Sequence, residues 1–140
     1  DDDMVTALTY AAKRGVDTVI VMPHIPDKKY AFMLAHSYYP ELMEAGVKIY
    51  EYLPGFIHSK TFVSDDEKAV VGSINMDFRS QYLNFECAVY IYKNPVVGDI
   101  RADFDETLKK CVRMSMESYE SLPLMHRFWG RTLRLIAPLM

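Results

Sequence analysis

The sequence predicts an α/β fold. Three observations carry that expectation. Apolar residues recur at helical spacing near the start, short β-branched runs alternate with helical stretches after it, and two hydrophobic runs flank a tight polar segment in mid-chain. Residues 3–15 read as a helix, because Met4, Val5, Leu8, Ala11 and Ala12 form one apolar stripe. Aspartates favour its N-terminus, Lys13 and Arg14 favour its C-terminus, and Gly15 is a stop signal. Residues 16–22 form a β-branched run ended by Pro23, the pattern of a strand covered on both faces in a parallel sheet. After a proline-containing loop over 24–29, residues 30–45 read as a second helix closed by Gly46. A second strand spans 47–53 and is broken by Pro54-Gly55. The runs 56–63 and 69–74, joined by Ser64-Asp65-Asp66-Glu67-Lys68, predict a β-hairpin. A strand over 83–92 and helices over 95–117 and 122–136 complete the pattern. No repeat or linker divides the chain, so residues 1–140 are expected to form one domain.

Composition narrows the function classes. Half the residues are hydrophobic, and 16 Lys and Arg stand against 19 Asp and Glu, for a net charge of −3. These values exclude a disordered chain. They argue against nucleic acid as a partner held by bulk positive charge. No stretch approaches the roughly 18–20 apolar residues of a spanning helix. Cys87 and Cys111 do not make a disulfide framework and are expected as reduced thiols. The abrupt start, Asp1-Asp2-Asp3-Met4 running into a helix, suggests a piece of a longer polypeptide.

The hairpin carries the chemistry. Residues two apart on a strand share a face, so His58 and Lys60 are expected to project together, as are Ser73 and Asn75 from the neighbouring strand. Such a patch suits a phosphodiester. Lys60 neutralises a non-bridging oxygen, Ser73 and Asn75 hydrogen-bond to others, and His58 acts as nucleophile or proton donor. Glu86 is the candidate to fix the other nitrogen of that histidine, since a carboxylate in so apolar a run is costly to bury without a partner. Asp65 has two readings, orienting Lys60 or capping the turn. Taken singly, His-x-Lys on a strand is usually a solvated face, and Gly-Ser-x-Asn is often a turn. Their ordered combination is what argues for a site.

That combination, His58-x-Lys60, then Asp65, then Gly72-Ser73-x-Asn75, resembles the HKD motif of the phospholipase D superfamily. The segments 12–17, 44–50, 75–80 and 83–86, with the run 128–140, resemble the C-terminal half of the cardiolipin synthases within it. The resemblance implies a phospholipase D-like half, a mixed β-sheet flanked by helices. It implies one half-site of an enzyme that joins two phosphatidylglycerol molecules into cardiolipin through a phosphohistidine, with glycerol released. The N-terminal HKD half of the same polypeptide would complete the site. By the family pattern the N-terminal histidine is the nucleophile and His58 the acid/base. The same resemblance implies no metal and no cofactor, an anionic membrane lipid as partner, and membrane association of the full-length protein. Single-motif members build their site from a homodimer, so a homodimeric phosphodiesterase or nuclease is one alternative. A non-catalytic half-domain that binds phosphate or lipid is another.

Other residues are read more plainly. His24 lies in a loop that follows a strand, as a rim residue or an ordinary surface histidine. His36 and His126 are expected on helix surfaces, and the methionines and tyrosines in the packing. Arg127, Arg131 and Arg134 share one face of the last predicted helix, and no acid occurs from Ser121 to Met140. This helix either lies on an anionic lipid surface or packs on its own domain with a solvated arginine edge.

Overall fold

Two three-stranded sheets organise the chain in the computed structural model, which describes residues 1–139. In the first, β1 (Val19–Pro23) runs parallel to β2 (Lys48–Tyr52), and β6 (Cys111–Arg113) pairs antiparallel on the far edge of β2. In the second, β3 (Lys60–Ser64), β4 (Lys68–Gly72) and β5 (Ala88–Tyr92) form an antiparallel meander. The expected α/β class holds, with a mixed sheet flanked by helices beside a purely antiparallel one.

Local chemistry sets most boundaries. Helix α1 (Asp2–Lys13) starts where the Asp1 carboxylate accepts the Met4 N–H at 2.8 Å. It ends at Gly15, whose φ of +91° most side chains would resist. A parallel strand pair needs a long crossover, which α2 (Lys29–Ser37) and α3 (Tyr39–Glu44) supply. The single helix expected over 30–45 is two, because Pro40 has no N–H to continue the ladder and sits instead in the first turn of α3. The hairpin forms as expected. Asp65 and Asp66 occupy its turn at φ of 56° and 54°, a conformation short polar side chains tolerate.

Two further expected elements are corrected. The strand expected over 83–92 begins only at Ala88, after a π-helical turn over Arg79–Leu83. The helix expected over 95–117 is α4 (Val96–Leu108), then β6, then α5 (Met116–Glu120). The unpaired edge of β2 captures residues 111–113, with Leu53 N donating to the Lys110 carbonyl, and this pairing overrides local helix propensity. Ser115 then caps α5 by accepting the Ser118 N–H. Helix α6 (Leu124–Leu133) closes the fold against α2.

The core lies on the first sheet, where Val5, Tyr39, Leu42, Val47, Ile49 and Tyr119 pack together. Helix α4 covers one face of the second sheet and buries Ala69 and Val97. Tyr90 and Tyr92, which alternate with Val89 and Ile91 along β5, remain more than half exposed at 62% and 52%.

Candidate active site

One end of the second sheet gathers the candidate residues. Lys60 opens β3, its register partner Gly72 closes β4, and Gly72 pairs in turn with Ala88 at the start of β5. Ser73 therefore follows β4 and Glu86 precedes β5 at that same end. His58 is not within the strand. It lies in the extended lead-in, and its ring stacks on Phe56 at 5.5 Å between centroids. The alternation expected of His58 and Lys60 is nonetheless present. Ile57, Ser59 and Thr61 line a cleft with Ile100, Phe104 and Thr107 of α4 and with Val21, and Ser59 Oγ lies 2.7 Å from Thr61 Oγ1. His58 and Lys60 take the opposite face, where Lys60 Nζ donates to the His58 carbonyl at 2.8 Å.

The glycine of the motif has a steric reason. A Cβ on Gly72 would run into the Cys87 carbonyl oxygen and stand 2.5 Å from Ala88 Cβ. Only glycine lets β4 and β5 approach this closely. That approach brings Ser73 onto the β5 lead-in. Ser73 N donates to the Cys87 carbonyl at 3.0 Å, and Ser73 Oγ accepts the Cys87 N–H at 3.1 Å. The same hydroxyl donates to Glu86 Oε2. Asn84 Nδ2 donates to Glu86 Oε1 at 3.2 Å. The Ser73 hydrogen bond is the main cause that holds Glu86 below the usual carboxylate range, with Ser80, Asn84 and the Lys60 charge adding to it. The Ser80 hydroxyl is buried near this carboxylate without a partner in full hydrogen-bond geometry. Partial burial draws Lys60 down from the usual lysine range, and the charges of Asp77 and Glu86 oppose that shift.

Three expectations change. Glu86 is partly exposed rather than buried, and it is directed to Ser73 and Asn84 instead of the His58 imidazole. Asn75 lies in the loop after β4, its carbonyl accepting from Gln81 Nε2 at 3.0 Å, and not on the neighbouring strand. Asp65 does not join the cluster. The length of β3, at about 3.3 Å per residue, sets it on the order of 15 Å from Lys60. Its carboxylate accepts from Ser64 Oγ at 3.1 Å, so of its two readings the turn is the one its position supports. Asp77 was not singled out from the sequence. It accepts the Ser80 N–H at 2.7 Å and lies close enough to Lys60 to act on its charge.

A second polar cluster lies on the first sheet. Glu51 is 2% exposed and accepts three hydrogen bonds. They come from His36 Nε2 at 2.9 Å, His24 Nδ1 at 2.8 Å and the Tyr39 hydroxyl at 3.1 Å. His36 is itself buried at 3%, and its Nδ1 stands 3.1 Å from His126 Nε2 on α6. The surface position expected for His36 is therefore wrong, because α6 folds back over α2 and closes it in. His126 is half-buried by the same contact. Burial would raise the Glu51 pKa, but the hydrogen bonds from His36 and His24, the His36 charge and Tyr39 hold it below the usual range. Burial next to Glu51 pushes Tyr39 well up. Burial and the neighbouring His36 hold His126 down. No group of three or more His, Cys, Asp or Glu among the described residues is placed to hold a metal ion.

The HKD-type patch is an open surface. A concavity lined by residues such as Met43, Lys48, Arg113 and Met116 shares no residue with it. Beside the patch, Leu83 is 65% exposed and Phe85 is fully exposed. No helix among the described residues is long and apolar enough to cross a membrane.

Comparison with known proteins follows the same line. A family model described as "Cardiolipin synthase, PLD-like domain" matches residues 1–108. An uncharacterised protein of Streptococcus mutans is 51% identical over the whole chain, which spans 30% of that relative. A cardiolipin synthase of Geobacillus sp. (strain WCH70) is 45% identical over the whole chain, which spans 28% of it. The chain thus covers less than one third of these curated relatives. Among solved structures, the phospholipase D family member Nuc from Salmonella typhimurium superposes with a TM-score of 0.67 at 23% identity, over 80% of this chain and 73% of Nuc, a likeness of fold.

Proposed function

The chain belongs to the cardiolipin synthase, phospholipase D-like domain family, and from that premise we propose that it supplies one HKD half-site of a phosphatidyltransferase. On this reading, residues 1–140 are a single phospholipase D-like domain of a longer, membrane-associated polypeptide. An N-terminal half with its own HKD motif completes the site. The substrate is phosphatidylglycerol, and two molecules give cardiolipin and glycerol.

The reaction proceeds by two displacements at phosphorus. The histidine of the N-terminal half attacks the phosphodiester, an N–P bond forms, and the P–O bond to glycerol breaks as His58 gives that oxygen a proton. A hydroxyl of the second phosphatidylglycerol, deprotonated by His58, then attacks the phosphatidyl-histidine and frees the first histidine. Two displacements replace one harder step. Lys60 meets the non-bridging oxygens, with Ser73 and Asn75 as hydrogen-bonding groups beside it. Glu86 holds the Ser73 hydroxyl in place and contributes a fixed negative charge near Lys60.

The supporting observation is the meeting of Lys60, Ser73 and Glu86 at one open sheet end, with the His58 carbonyl accepting from Lys60 Nζ beside them. An exposed apolar fringe, Leu83 and Phe85, lies beside this end and offers a surface to a second half. The test is His58→Ala in the full-length enzyme. Conversion of phosphatidylglycerol to cardiolipin is expected to fall by at least about 100-fold with the circular-dichroism spectrum unchanged. Retention of more than a few per cent of turnover would sink the assignment.

A further inference from the structure

Helix α6 is built inside out. Its packed side is centred on Gly130, where a Cβ would run into the Met33 carbonyl oxygen of α2. His126 and Leu133 lie on the same side at helical spacing. The opposite side carries the large apolar residues. Leu124 is 77% exposed, Met125 63%, Phe128 60% and Trp129 48%, and Leu135, in the turn that follows, is 82% exposed. On a helical wheel Leu124, Met125, Phe128 and Trp129 fall within one face.

The arginines do not form the free edge expected from their spacing. Arg134 stacks its guanidinium 3.8 Å from the Tyr38 ring centroid and pairs with Glu41 at 2.8 Å. Arg127 lies over Tyr119 at 5.1 Å and donates to the Glu120 carbonyl. Arg131 is exposed and flanks the apolar face between Arg127 and Leu124 on the wheel.

We propose that this face seats on the surface of an anionic phospholipid bilayer, with α6 lying flat and Leu124, Phe128 and Trp129 entering the interface. Charge argues for that occupant. All 19 acidic residues precede Ser121, so the last twenty residues carry three arginines and no acid in a chain of net charge −3. With Arg134 paired to Glu41 and Arg127 held over Tyr119, Arg131 is the exposed cation that borders the apolar face. Its chemistry also fits. Trp and Phe beside an arginine suit the boundary between headgroups and acyl chains, where an apolar face sinks about 5–10 Å. The choice of an anionic phospholipid rests on the reading of the HKD-type patch as a phosphatidyltransferase site.

The chain carries its own reporter, because Trp129 is its single tryptophan. In vesicles of mixed phosphatidylglycerol and phosphatidylcholine, Trp129 emission is expected to move to shorter wavelength. Lipids brominated on the acyl chain are expected to quench it. Vesicles of phosphatidylcholine alone should bind several-fold more weakly, and Arg131→Glu should remove most of that difference. The double variant Leu124→Gln/Phe128→Gln alters only exposed side chains and should abolish the shift at unchanged thermal stability. In the full-length enzyme the same variant should lose activity on vesicle-borne phosphatidylglycerol and keep it on substrate dispersed in detergent. Loss in both would place the fault in the site reading rather than in the docking surface. Three results would overturn the proposal: unchanged emission with phosphatidylglycerol vesicles, a shift that follows protein concentration without lipid, or a Trp129 equivalent already shielded by the remainder of the full-length polypeptide.

Discussion

Glu86 and Glu51 are two carboxylates held ionised by hydrogen bonds, and they do opposite things. Glu51 sits on the central strand of the first sheet and accepts from His36 of α2, Tyr39 of α3 and His24 of the loop after β1. Glu86 sits at the open end of the second sheet, fixed by Ser73 and Asn84, with solvent on its remaining side. The difference teaches that a lowered carboxylate pKa and clustered histidines do not by themselves mark a reactive site. What separates the two is access. Around the buried Glu51, hydrogen bonds tie α2, α3, α6 and the loop after β1 to β2, whereas Glu86 keeps one side open to solvent, the side on which the proposed phosphodiester would sit.

The contrast can be broken most strongly at Glu51. Glu51→Ala leaves His36 buried without its acceptor, and the loss is expected to be about 3–5 kcal/mol, read from denaturant midpoints. A loss below about 1 kcal/mol would deny Glu51 its structural role. The same cluster sets the pH dependence. Glu51 and His126 both have folded-state pKa values below their ordinary ones, so the unfolded chain binds more protons. Their stabilisation is complete above the unfolded values. It is expected to fall in two stages on acidification, first as His126 begins to titrate below about pH 6.5 and then as Glu51 does below about pH 4.3. Thermal melts across that range should show both stages in the wild type and lose the lower one in Glu51→Ala.

A smaller effect on stability sharpens the comparison from the other side. Gly72→Ala forces β4 from β5 and is expected to cost about 1–3 kcal/mol. Because the displaced strand end carries Ser73, turnover of the full-length enzyme should fall by more than the unfolded fraction accounts for. A proportionate fall would show that the close approach serves only the sheet.

The two regions also differ in how far the sequence revealed them. The hairpin was readable because its signals are local: a polar turn, β-branched flanks, and His58, Lys60, Ser73 and Asn75 at fixed intervals along one stretch of chain. Glu51, His36 and His24 are brought together by β1–β2 pairing and the packing of α2, and nothing in their spacing announces it. One signal was present. The cost of burying a lone carboxylate applies to Glu51, flanked by buried Ile49 and half-buried Tyr50 and Tyr52, and not to the partly exposed Glu86 for which it was invoked. The last helix shows the same limit. Its amphipathic spacing was legible, but which face packs was decided by Gly130 meeting α2 and by Tyr38 and Tyr119 stacking on the arginines. Strand β6 likewise depends on a partner distant in sequence, whereas the break at Tyr38 carried a local signal in Pro40.

The proposed division between a carboxylate that positions Ser73 and a structural one is tested most directly by measuring turnover per folded molecule together with melting temperature for Glu86→Gln and Glu51→Gln in the full-length enzyme. Glu86→Gln is expected to lose at least about tenfold in turnover at an unchanged melting temperature, and Glu51→Gln to melt lower while each folded molecule turns over at nearly the wild-type rate. The reverse pattern, a stable but inactive Glu51→Gln beside an active Glu86→Gln, would contradict it.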